Sequence, residues 1–204
     1  MNQEITVDEI IAFESEIAEL FQQGKIRAPI HLRSGCEQTL IDIFKNIKDE
    51  DWIFNYWASH IHCLLKGVPP VELKQQILEG KSISLSFPDQ NIYCSGIVGS
   101  LAGVAVGTAW GLKNQNKKGM VYLFTGDMGA ECGIFHEAVK YALNFDLPIK
   151  FVVEDNGVSV MTDTKLTWGS QESWFVNTIY AQKIIYYKYY NSWPHSGLGK
   201  RIAF

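Results

Sequence analysis

The segment 120–158, MVYLFTGDMGAECGIFHEAVKYALNFDLPIKFVVEDNGV, constrains this chain more than any other. Residues 120–124 are an apolar, β-type run that ends at Thr125-Gly126-Asp127. Ile134, Ala138, Tyr141, Ala142 and Phe145 then recur at helical spacing, and a second apolar run over 149–153 ends in Glu154-Asp155-Asn156-Gly157. Strand, turn, helix and strand make a βαβ unit, whose crossover lays two parallel strands side by side. Asp127 and Asn156 then both stand at carboxyl ends of strands, where open α/β sheets bind ligands.

A carboxylate and a carboxamide are hard oxygen donors, suited to Mg²⁺ or Ca²⁺ rather than zinc. The helix beginning near Gly129 turns its free N–H groups toward the same place and favours an anion there. Gly126 allows a tight turn and Gly129 keeps the approach open. A metal–diphosphate fits these features. An ordinary strand-end turn with a capping aspartate fits the same residues. On these residues alone, both readings stand.

The pattern resembles the thiamine-diphosphate motif, a GDG triplet followed one βα unit later by NN. Here it reads Gly126-Asp127-Met128 and Asp155-Asn156. The segments GDMGAECG, FHEAVK and LPIKFVVEDNGVS are similar to GDGATEEG, FHEALN and LPV-FV-ENNGYS of the alpha subunit of 2-oxo acid dehydrogenases, the decarboxylating component. The resemblance implies an α/β fold of the thiamine-diphosphate-binding type, a mostly parallel sheet flanked by helices. It also implies thiamine diphosphate and Mg²⁺ as cofactors.

At 204 residues the chain has the length of one α/β domain with a proper core. It divides into amino-terminal helices over 1–50, a cofactor-binding core over 51–162 and a shortened carboxyl-terminal segment over 163–204. A net charge of −4 gives no reason to expect nucleic acid. Cys36, Cys63, Cys94 and Cys132 form no CxxC pair and read as reduced thiols of a cytoplasmic protein. No apolar stretch is long enough to span a bilayer comfortably, and the acidic, amphipathic first twenty or so residues do not read as a signal peptide.

Apolar residues over 7–21 predict a helix that Gly24 ends. Residues 28–37, APIHLRSGCE, resemble the family's HLxxGQE segment, which implies that His31 faces the thiamine. Residues 51–54 read as a short strand. Registered on Lys66-Gly67, the following segment resembles YRxHG...RG, with Trp57 and Ala58 where the family's Tyr-Arg pair touches the diphosphate and His60 matching the family's histidine. Ala58 carries no charge, so either another cation (Lys66, Arg33 or a partner residue) compensates or cofactor affinity is reduced. His60, His62 and Cys63 lack zinc spacing. Residues 70–78 predict a proline-started helix and 82–93 a polar loop. Residues 94–107 predict a Gly-rich helix resembling GIVGAxxPxGxGxAxA, which gives Gly96 and Val98 the aminopyrimidine ring. Met128 replaces the second glycine of GDG, a costly change if that position needs φ > 0. Glu131 matches a common family residue, whereas His136 reads as part of a solvated helix face. Residues 183–190 read as a β-rich strand leading to Trp193-Pro194-His195-Ser196-Gly197, a faint echo of the family's Tyr-Arg...GHS.

The resemblance implies that Asp127, Asn156 and the Val158 carbonyl bind Mg²⁺, with Trp57, Gly96, Val98, Gly126, Met128, Gly129 and Glu131 also at the cofactor. His31 and His60 are the expected proton donors. The activating glutamate of this family comes from a beta subunit, which implies an α₂β₂ heterotetramer acting on a small 2-keto acid or ketose. Loss of carbon dioxide or C–C cleavage is then followed by ligation, oxidation or simple aldehyde release, and the sequence leaves these three open. The amino-terminal half of a split transketolase shares the metal motif and is the alternative enzyme. A non-catalytic structural subunit is the alternative of another class, favoured by Ala58 and Met128.

Overall fold

The computed structural model describes residues 5–160, 162–169 and 172–193. Its first elements are α1 (Val7–Gln22), α2 (Glu37–Phe44), β1 (Trp52–Tyr56), α3 (His60–Leu65), α4 (Pro70–Leu78), β2 (Ser86–Phe87) and β3 (Ile92–Ser95). Then come α5 (Ser100–Asn114), β4 (Val121–Gly126), α6 (Asp127–Ala130), α7 (Gly133–Asn144) and β5 (Ile149–Asp155). The last are β6 (Val158–Ser159), β7 (Thr162–Asp163), α8 (Thr164–Trp168) and β8 (Ile184–Lys188). Pro194, His195, Ser196 and Gly197, which carry the late echo of the family, lie outside the described residues.

These elements fall into two compact units: 5–49, 56–96 and 190–193 in the first, 50–55 and 97–189 in the second. The second unit is built on a parallel sheet in the order β1, β4, β5, β8. Val121, Leu123 and Phe124 of β4 and Phe151, Val152 and Val153 of β5 are fully buried. Such unbroken apolar runs are what a strand covered on both faces requires. Phe135 of α7 meets Phe151 edge-on at 5.3 Å between ring centres. The Ala102, Ala105 and Ala109 face of α5 is buried, and its short side chains leave room for close packing. Asp51 secures the entry to β4 by accepting the Met120 N–H at 2.7 Å.

In the first unit, Thr6 and Glu9 form a reciprocal capping box at the start of α1, which satisfies two amide donors at once. Ile10, Phe13, Ile17 and Phe21 bury the apolar face of that helix. β2 and β3 pair antiparallel, within the stretch expected to be a polar loop. The Gly-rich segment differs from the expected single helix. Its first residues belong to β3, and α5 starts only at Ser100 after Gly99 turns at φ +86°. Gly96 and Val98 therefore lie in the turn before the helix. Among the described residues no helix is long and apolar enough to cross a membrane.

Candidate functional site

The register of the two central strands pairs Gly126 with Glu154. One step further along the chain, Asp127 and Asp155-Asn156 leave the same end of the sheet on neighbouring strands. Asp127 opens α6 directly from the strand, with Gly126 at φ −77° and ψ 169° as its extended cap. Met128 lies inside this short helix and is not among the residues with positive φ. The missing second glycine therefore strains nothing. Met128 instead offers its sulfur to the Trp168 Nε1–H at 3.0 Å. Gly129 is needed for space, because a Cβ there would stand 2.4 Å from Thr125 Oγ1 and 3.2 Å from Val98 Cγ1.

Asp127 is buried, and its Oδ2 has no hydrogen-bond partner. An unpaired buried carboxylate oxygen is costly unless something positive answers it. Burial raises its pKa to about 6, the Thr164 hydroxyl counters this, and the Asp155 carboxylate adds to the rise. Asp155 is committed elsewhere: its Oδ1 accepts the Gly157 N–H at 2.9 Å and its Oδ2 the Tyr186 hydroxyl at 2.5 Å. Asn156 accepts the Val158 N–H through Oδ1 at 3.2 Å, and that oxygen keeps a second lone pair. A small cavity of about 30 Å³ beside Asp127 is lined by Glu131, Asp155, Thr164, Lys165 and Trp168 among others. Burial raises the pKa of the Glu131 carboxyl, and the backbone N–H of Trp174 counters the rise. Trp174 also stacks on His136 at 3.9 Å, so His136 is not on a freely solvated face.

This donor set fits a hard divalent cation bound with phosphate oxygens. It offers one carboxylate with a free oxygen, one carboxamide and one backbone carbonyl, and leaves coordination positions for the ligand. Among the described residues no three His, Cys, Asp or Glu side chains converge as a metal site. A cation here would draw on other oxygens as well.

The expected residues of the first unit fare differently. His31 lies edge-on to Trp57, 4.6 Å between ring centres. Trp57 takes φ +52°, rare for a bulky side chain, and its buried Nε1–H has no partner. His60 is placed in the core. Its ring is fully buried, Nδ1 lies 3.1 Å from Glu14 Oε1 and Nε2 2.8 Å from Ser82 Oγ. With both nitrogens engaged in the core, His60 joins α1 to α3 and presents no atom to a substrate. The Lys66 Nζ donates to the Lys48 and Asp49 carbonyls. Tyr186, Thr164 and Lys165 also line the cavity beside Asp127, and no motif in the sequence marks them.

The fold and these groups define an α/β protein with oxygen donors gathered at the ends of its central parallel strands. The Dehydrogenase E1 component family matches residues 6–175, and the chain belongs to that family. It is 31% identical over 164 residues to the alpha subunit of acetoin:2,6-dichlorophenolindophenol oxidoreductase from Bacillus subtilis, covering 76% of this chain and 49% of that protein. The same-named subunit from Cupriavidus necator is 31% identical over 160 residues, covering 74% and 48%. A pyruvate dehydrogenase E1 component alpha subunit from Caenorhabditis elegans is 28% identical, covering 78% and 42%. The chain thus spans about half the length of these relatives. A solved structure of a candidate thiamin diphosphate-dependent enzyme from Mycobacterium smegmatis aligns with a TM-score of 0.44 at 20% identity, covering 64% of this chain and 21% of that one.

Proposed function

We propose that this chain is the alpha-type half of a thiamine-diphosphate-dependent enzyme that cleaves the bond beside the carbonyl of a 2-keto acid or ketose. The observation that carries this reading is the buried Asp127 with its unanswered Oδ2, one strand away from Asn156 and Val158. Asp127, Asn156 and the Val158 carbonyl hold Mg²⁺. Gly126, Met128 and Gly129 shape the diphosphate side, Glu131 orders it, and Gly96, Val98 and Trp57 contact the cofactor. When bound, the cofactor supplies the electron sink for the cleavage. The chain's own residues bind it, orient it and exclude water. His31 moves the proton, since His60 is committed to the core.

A beta-type subunit supplies the activating glutamate, and the assembly is α₂β₂. The location is the cytoplasm, in keeping with four cysteines that are all free thiols.

A thiamine diphosphate titration with and without Mg²⁺ tests the reading, on the chain alone and with its co-purifying partner. Binding is expected to need Mg²⁺, to tighten with the partner and to be lost in Asp127→Ala. An intact complex that binds no cofactor would make the chain a structural subunit.

A further inference from the structure

Tyr186 stands on β8, where it pairs with Val153 of β5, and Asp155 lies two residues beyond on the same face of that strand. Its hydroxyl donates to Asp155 Oδ2 at 2.5 Å, while the other oxygen of that carboxylate takes the Gly157 N–H at 2.9 Å. The Asp155 carbonyl also accepts the Tyr189 N–H at 2.9 Å. The residue before Asn156 is thus tied at both carboxylate oxygens and at its carbonyl. The turn that carries Asn156 and Val158 begins from that fixed point.

We propose that Tyr186 is a positioning residue for the cation. Acting through Asp155, it sets the turn over 155–158 so that the Asn156 side chain and the Val158 carbonyl face the free oxygen of Asp127. This rests on the metal site proposed above. The neighbouring Tyr187 supplies an internal comparison: its hydroxyl donates to Glu154 Oε1 at 2.6 Å. Residue type, strand and bond are the same, but the face is opposite and leads away from the turn.

Mn²⁺ is the probe, titrated into the full chain, alone and in its co-purified complex, with thiamine diphosphate present, and read by electron paramagnetic resonance. Tyr186→Phe is expected to raise the Mn²⁺ midpoint about tenfold, as for the loss of one charge-assisted hydrogen bond. Tyr187→Phe should match the parent protein. Asp155→Ala should weaken binding at least as much, and Asp155→Asn, which keeps an acceptor for Gly157, should recover part of it. Melting of the metal-free chain is the control for a merely structural role, which would lower the melting temperature and leave the midpoint in place. Equal midpoints for Tyr186→Phe and the parent, or equal shifts in both tyrosine variants, would overturn the positioning role alone. Parent protein without Mn²⁺ binding in either form would overturn the metal site and this role with it.

Discussion

At the scale of single residues, the motif spoke clearly where neighbours in sequence are neighbours in space. Asp127 and Asn156 belong to one βαβ unit, so their spacing already places them on adjoining strand ends. Met128 is a case where conformation decides. Its backbone is helical rather than left-handed, so restoring the family's glycine relieves nothing and adds backbone freedom to the unfolded chain. Met128→Gly is expected to cost roughly 1 kcal/mol of stability and to release the Trp168 indole. Chemical denaturation reads the first and tryptophan fluorescence the second; a more stable variant would show strain that the helix conceals. His60 is the opposite case. Its partner Glu14 lies on α1, far away in sequence, and nothing local announces that a motif histidine is turned into the core. Tyr186 stayed invisible for the same reason, since the hydroxyl that reaches Asp155 comes from a strand far along the chain.

At the scale of elements, α1 was legible from apolar periodicity, and β1, β4, β5 and β8 from apolar or β-rich runs. The failures came where glycines mark a turn rather than a helix interior. Gly99 ends the turn before α5, and the helix expected after the Asp127 turn breaks into α6 and α7 around Cys132, where the chain is extended at φ −70° and ψ 141°. Gly129 shows how tightly α6 is set on the strands. A methyl group there meets Thr125 Oγ1 at 2.4 Å, and overpacking of this kind costs about 1–3 kcal/mol. Alanine's better helix propensity offsets about 1 kcal/mol of that. Gly129→Ala should therefore lower the melting temperature by a few degrees. An unchanged or higher melting temperature would mean that Thr125 swings aside without loss.

At the scale of the whole molecule, the second unit leaves an uncovered surface that its own core does not explain. On α5, Gly103, Gly107 and Gly111 have open space where a side chain would stand, and Val104 between them is half exposed. One exposed valine means little. A helix face of glycines flanking a valine, in a unit that also exposes Ile97, Val98 and Ile134, suits the close approach of another chain. The beta-type subunit of the proposed assembly is the occupant expected there. Burying a charge at the centre of such an interface without a partner costs several kcal/mol. Val104→Asp should therefore prevent assembly, while the isolated chain keeps its melting temperature, because the side chain is exposed there already. Native mass measurement of the co-expressed subunits decides it. Assembly that survives the aspartate would place the partner on another face, whereas a chain that melts early would mean that Val104 serves its own fold.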